Sequence, residues 1–202
     1  MDLTVASRNT GKITELKKLL SGLPFRVFSL DDFKNVPEVE EDGETYEENA
    51  AKKALAVAAA AGMPALADDS GLEVDALLGK PGVRSARFGG EGLSDHERYM
   101  KLLGLLEETA DEDRGAQFRC TIAIAVPGKI LKTVQGVCRG TIIREPRGGG
   151  GFGYDPVFIP VGYNHTFAEL SPEIKNRISH RGRALEKAAL FLEGYIYSET
   201  GD

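Results

Sequence analysis

Leu3-Thr4-Val5-Ala6-Ser7-Arg8-Asn9-Thr10-Gly11-Lys12-Ile13-Thr14-Glu15-Leu16 passes without a break from a short, buried strand into a helix. Residues 3–6 read as the strand. Ile13, Leu16, Leu19 and Leu20 then recur on one face of a helix over about 11–20. The turn between them, Ser7-Arg8-Asn9-Thr10-Gly11-Lys12, aims backbone N–H groups and the positive end of the helix dipole at a shared point. Arg8 and Lys12 add full charges, and Gly11 allows close backbone approach. Such a turn suits a phosphate group, although a polar helix cap would use the same residues. It is not a Walker loop, because Ala6 stands where glycine is needed and Ile13 where Ser or Thr is needed.

Working outward, 25–30 reads as a second strand. An acidic stretch follows, with Glu38, Glu40, Glu41 and Asp42. Thr45 and Glu48 have the spacing of a capping box and open an alanine-rich helix to about Ala61, stopped by Gly62 with Pro64 beyond. Residues 65–67 read as a brief strand ending in Asp68-Asp69-Ser70-Gly71. A second capping box, Ser94 with Glu97, starts a helix carrying Tyr99, Leu102, Leu103 and Leu106. Residues 117–126 and 130–143 form an expected antiparallel hairpin around Pro127-Gly128-Lys129. A short strand at 157–159 and a helix over about 179–197 complete the chain. These elements predict an α/β protein with a long mixed sheet, folded as one domain over 1–202 and bent into two lobes without a linker.

The chain has 202 residues, 25 basic against 31 acidic, and a net charge of −6. That balance argues against a nucleic-acid polymer or an anionic membrane as partner, since both reward a basic surface. A small anion such as a nucleotide needs only a local cluster of cations. No apolar stretch is long enough to span a bilayer. Cys120 and Cys138 lie in strand-like segments without metal-site spacing and read as reduced core residues of a cytoplasmic protein.

Four further segments bear on chemistry. Asp68 and Asp69 repel one another unless a divalent cation or strong hydrogen bonds intervene. Hard oxygen ligands without His or Cys nearby point to Mg²⁺, while an Asx turn would also account for them. The acidic stretch reads as a solvated face, from which one carboxylate could complete a metal site and Lys52 or Lys53 could reach a phosphate. Gly148 to Gly153 matches GxGxxG by count, but a strand follows where that motif demands a helix. Its Phe152, Tyr154 and Asp155 suit a base-stacking loop or, alternatively, a connection packed inward. In Lys175-Asn176-Arg177-Ile178-Ser179-His180-Arg181, Ser179 is a good N-cap, and His180 and Arg181 fall where the helix dipole disfavours cations. That placement hints at an anionic or acceptor-rich partner.

In order along the chain, these segments resemble the inosine triphosphate pyrophosphatase family. The resemblance rests on Ser7-Arg8-Asn9-Thr10-Gly11-Lys12, Glu48-Asn49-Ala50 with Lys53-Ala54, and Ala67-Asp68-Asp69-Ser70-Gly71-Leu72. It extends through Pro81-Gly82-Val83 with Ser85-Ala86-Arg87, Gly151-Phe152-Gly153-Tyr154-Asp155-Pro156, and the 175–181 segment. The resemblance implies two α/β lobes with the active site in the cleft between them, a homodimer, and Mg²⁺-dependent hydrolysis of ITP, dITP and XTP to monophosphate and pyrophosphate. It implies Asp69 as catalytic carboxylate and, with Glu40 or its neighbour Glu41, as metal ligand. Ser7, Asn9, Lys12 and Lys53 would hold the triphosphate, with Arg8, Thr10 and Gly11 in the same turn, and Ser70 would contact the substrate. Phe152, Gly153, Tyr154 and Asp155 would wall the base, and Lys175, His180 and Arg181 would reach the purine. The related Maf-type pyrophosphatases and a nucleotide-binding regulator without turnover are the competing readings; the 179–181 segment speaks against the first.

Overall fold

The computed structural model describes residues 2–21, 24–33 and 36–200, with the side chains of Leu19 and 196–200 outside the description. Among the described residues six strands form one sheet in the order β2-β1-β3-β4-β5-β6. They are β1 (Asp2–Val5), β2 (Arg26–Ser29), β3 (Ala65–Val74), β4 (Gly115–Val126), β5 (Lys129–Ile142) and β6 (Phe158–Pro160). The helices are α1 (Thr10–Leu20), α2 (Tyr46–Ala61), α3 (Asp95–Leu105), α4 (Pro172–Ile178) and α5 (His180–Thr200). β1 runs parallel to β2 and β3, while β5 and β6 are antiparallel, so the sheet is mixed. The chain divides into two compact units: Met1–Asp69, Cys120–Gly136 and Arg181–Asp202 in one, Ser70–Arg119 and Val137–His180 in the other.

In the first unit, strand alternation separates two apolar faces. Leu3, Val5, Leu66, Ile122 and Ile124 pack against Leu16 and Leu20 of α1 and Leu185 and Leu192 of α5. On the other face Ala65, Ala67, Ala123 and Ala125 meet Ala50, Ala54, Val57 and Ala58 of α2. Alanine on both sides lets the α2 backbone lie close to the sheet. Both ends of α2 are fixed as the sequence suggests. The Thr45 hydroxyl accepts from the Glu48 amide, and Gly62 closes the helix at φ 66°.

The second unit surrounds an aromatic core. The Phe118 ring centroid lies 4.8 Å from Phe158, edge to face, and 5.8 Å from Phe167, stacked. Leu102, Leu103 and Leu106 of the α3 segment close over the same cluster. The expected capping box of α3 forms between Ser94 and Glu97. Arg114 is buried in this unit and donates from Nε to Ile142 O at 2.8 Å, from Nη1 to Leu106 O at 2.6 Å and from Nη2 to Ile143 O at 3.2 Å. One side chain thus satisfies the end of α3 and two carbonyls of the β5 segment.

Three expectations are corrected. The strand foreseen at 65–67 is β3, Ala65–Val74, so Asp68-Asp69-Ser70 lies inside a buried strand and not in an Asx turn after it. The last segment holds two helices where one was foreseen. Ser171 caps α4 by accepting from the Ile174 amide, with Pro172 at the first position, and Ser179 is extended between α4 and α5. The 157–159 strand is shifted by one residue to Phe158–Pro160. The expected Leu19 contact falls outside the described side chains.

Removing the buried guanidinium would orphan three carbonyls. Arg114→Ala is expected to lower unfolding stability by about 3 kcal/mol in urea titrations, because each unmet buried acceptor carries its own desolvation cost. A loss below about 0.5 kcal/mol would show those carbonyls to be solvated.

Candidate active site

Adjacent strand residues point to opposite faces, and this decides how Asp68 and Asp69 coexist. Asp68 shares the Leu66 face with α1 and α5, and Asp69 shares the Ala65 and Ala67 face with α2. Both are nearly fully buried, at 1% and 3% exposure. Asp68 Oδ2 lies 3.0 Å from Lys12 Nζ and accepts from Arg181 Nε at 3.3 Å. Arg181 in turn donates from Nη1 to Glu15 Oε2 at 2.5 Å. Asp69 has a different retinue. Its Oδ2 accepts from Asn49 Nδ2 at 3.0 Å, and its Oδ1 is 3.9 Å from Lys53 Nζ. Lys53 also donates to Glu41 Oε1 and to the Asp68 carbonyl.

The two carboxyls are driven apart electrostatically. Burial opposes the charge of Asp68, but Lys12, Arg181 and Lys53 outweigh it and hold that carboxyl well below the usual carboxylate range. For Asp69 burial wins: despite Lys53 and Lys12, desolvation raises its pKa, and the Glu41 charge adds to the rise. Lys53 is itself desolvated, yet Asp68, Glu41 and Asp69 together keep its ammonium more basic than usual. Asp68 is therefore a fixed anion, while Asp69 is a carboxylate of raised basicity, as a general base requires.

The 7–12 turn folds as a helix entry. Asn9 caps α1 by accepting the Lys12 amide at 3.0 Å, and the Ser7 hydroxyl accepts the Asn9 amide at 3.2 Å. Arg8, Asn9 and Thr10 are exposed, and Ser7, Gly11 and Lys12 half-buried. Of the acidic stretch, Glu38, Glu40 and Asp42 are exposed, Asp42 pairing with Lys52 at the surface, whereas half-buried Glu41 reaches Lys53. The stretch is thus only partly a solvated face. Asn49 ties it to β3, since its Oδ1 accepts the Gly43 amide at 2.8 Å while its amide donates to Asp69.

A second set lies in the other unit. Lys175 Nζ donates to Asp155 Oδ2 at 2.7 Å and sits 4.8 Å from the centroid of Phe152. The Phe152 amide donates to the same Asp155 oxygen at 2.8 Å. Phe152 and Gly153 are half-buried, whereas Tyr154 turns inward and its hydroxyl donates to Ser85 O at 2.9 Å. His180 stacks on Phe118 at 4.7 Å and 10°. Ser70, half-buried, follows Asp69 directly in β3.

Sequence reasoning assigned no role to Asn49 or Glu15. Asn49 was legible in principle, because it precedes Lys53 by four residues and so shares its helix face. Glu15 is likewise three residues from Lys12. Neither spacing reveals the carboxylate or guanidinium across the gap that gives it meaning.

A mixed sheet whose third strand carries two oppositely shifted carboxyls, each set among lysine, arginine or amide donors, defines an α/β protein with a buried, charged cluster on β3. The chain belongs to the Ham1 family, whose model matches residues 3–191. It is 57% identical over 183 residues to a dITP/XTP pyrophosphatase of Geobacter sulfurreducens, covering 91% of this chain and 92% of that one. It is 54% identical over 201 residues to a dITP/XTP pyrophosphatase of Desulforamulus reducens, covering 99% and 100%. A Ham1 protein of Coxiella burnetii has a similar solved structure, with a TM-score of 0.87, 44% identity, and coverage of 96% and 99%.

Asp68 generates a stability prediction with a definite sign. Its folded pKa is depressed, so its stabilising effect is complete above the unfolded value of about 3.9 and fades as pH falls from there toward the folded value. Asp68→Asn should cost about 3–5 kcal/mol at pH 7, because Lys12 and Arg181 lose a buried counter-charge. Calorimetry from pH 7 to pH 3 should show the gap between the two proteins narrowing only below about pH 4. A constant gap would contradict the assignment.

Proposed function

We propose that the chain hydrolyses non-standard purine nucleoside triphosphates, ITP, dITP and XTP, to the nucleoside monophosphate and pyrophosphate. The observation that carries this reading is the buried Asp69, of raised pKa, bracketed by Asn49, Lys53 and Glu41. The names of the curated relatives support the substrate class.

In this reading Ser7, Asn9 and Lys12, within the 7–12 turn, and Lys53 bind the triphosphate. Asp69 takes a proton from the water whose oxygen forms a bond to the α-phosphorus. The bond from that phosphorus to the bridging oxygen breaks, and pyrophosphate leaves with its negative charge met by the lysines. Asp69 and Glu41, at 3.9 Å and 2.5 Å from Lys53 Nζ, are hard oxygen donors of the kind Mg²⁺ takes, and two protein ligands would leave the rest of its shell to water and phosphate. Those two would hold the ion, with Glu41 favoured over Glu40 because Glu40 is exposed. When bound, Mg²⁺ neutralises phosphate charge and acidifies a bound water.

Phe152 provides the stacking ring for the base, with Gly153, Tyr154 and Asp155 shaping the wall behind it. Lys175 and His180 supply donors, and Arg181, buried against Asp68 and Glu15, serves as their counter-charge and not as a donor to the purine. Hypoxanthine and xanthine accept at position 6 where adenine donates, and a site built on such donors discriminates by about 10⁴-fold or more. The buried thiols Cys120 and Cys138 suit a reducing cytoplasm, and a homodimer completes the proposal.

Incubation with ITP and Mg²⁺ should release IMP and pyrophosphate, with ATP turned over far more slowly. Orthophosphate with IDP, or equal rates on ATP, contradicts the reading. Asp69→Asn should lose about 10³-fold in kcat while still binding ITP in equilibrium titration, since it removes the carboxylate that acts as base and would hold Mg²⁺ but keeps the shape. A regulator without turnover would behave the same with either residue.

A further inference from the structure

We propose that Asp95 is a positioning residue for nucleotide binding, holding the Phe152 loop in place without touching the substrate; this rests on the reading under Proposed function. The segment Gly148-Gly149-Gly150-Gly151-Phe152-Gly153 has little conformational preference of its own, and ahead of Phe152 its Gly150 N–H is tied to Ala168 O at 3.0 Å. Gly148, Gly151 and Gly153 stand at φ 82°, 73° and 62°, where other residues are strained, and glycine loses the most backbone freedom on being fixed. A ring meant to stack on a base therefore needs anchors from outside the loop.

The two amides on either side of the Phe152 α-carbon each find a carboxylate. Phe152 N–H donates to Asp155 Oδ2 at 2.8 Å, and Gly153 N–H donates to Asp95 Oδ2 at 2.7 Å. Asp155 is buried and paired with Lys175. Asp95 comes from a different element, the first turn of α3. Its other oxygen accepts from Arg98 Nη1 at 2.8 Å, and Arg98 Nη2 is fixed on Leu93 O at 2.7 Å. The carboxylate is thus aimed by Arg98, and the positive end of α3 favours its charge. Hydrogen bonds from an amide to a carboxylate are among the stronger ones. The helix start does not depend on Asp95, because Ser94 and Glu97 form the capping box. Half of the Asp95 side chain is exposed, so its replacement leaves no hole in the core. What distinguishes Asp95 is its reach from α3 to the residue after Phe152.

Steady-state kinetics with ITP and Mg²⁺, paired with amide exchange at Gly153 followed by NMR, test the assignment in Asp95→Ala and Asp95→Asn. Asp95→Ala should speed Gly153 exchange and raise KM about tenfold, the worth of one charge-assisted hydrogen bond, with kcat within about twofold of the unaltered protein. Asp95→Asn keeps one acceptor oxygen for Gly153 but turns an amide donor toward Arg98 and loses the charge, so it should recover only part of both losses. A wild-type KM in Asp95→Ala, or equal damage to kcat and KM in both variants, overturns the positioning role alone. No pyrophosphate release by the unaltered protein overturns the functional reading, and the inference with it.

Discussion

Consecutive side chains of an extended strand leave on opposite sides, and in β3 this rule places a carboxylate on each face of the sheet. Burying one ionised carboxylate costs several kcal/mol, and two side by side would cost more unless each had its own counter-charges. The helices of the first unit supply them, with Lys12 and Lys53 each acting on both carboxyls. Lys12 from α1 and Arg181 from α5 serve Asp68, and Asn49 and Lys53 from α2 serve Asp69. Glu15 then balances Arg181, and Glu41 balances Lys53.

The alanine face gives that arrangement its precision. Because Ala50, Ala54 and Ala58 meet Ala65, Ala67, Ala123 and Ala125, α2 approaches the sheet without long side chains between. Asn49 and Lys53 ride on that helix and reach Asp69 directly. A bulkier residue on either side would lift α2, and the same two groups would lose the carboxylate. Packing and electrostatics are here one constraint seen at two scales.

Much of this was legible in the residues. Capping boxes at Thr45 and Ser94, the glycine stop at Gly62 and the long hairpin of β4 and β5 all follow from local chemistry and appear where that chemistry places them. β3 was read too short because Asp, Ser and Gly are poor strand formers, and their partners, which make the strand tolerable, come from distant helices. The difference between Glu40 and Glu41 had the same character, since only the fold turns Glu41 onto Lys53 and leaves Glu40 exposed. α4 escaped notice although Ser171-Pro172 is a recognisable helix opening, because seven residues leave little periodicity to read.

The central claim is that neighbouring carboxyls in one strand are shifted in opposite directions. Carbon-13 NMR of the two side-chain carboxyls, followed against pH in the metal-free folded protein, tests it most directly. Asp68 should stay ionised to the lowest pH at which the fold survives, while Asp69 takes up its proton above the ordinary aspartate value. Parallel titration of both carboxyls, or an Asp69 that ionises below Asp68, would contradict the account.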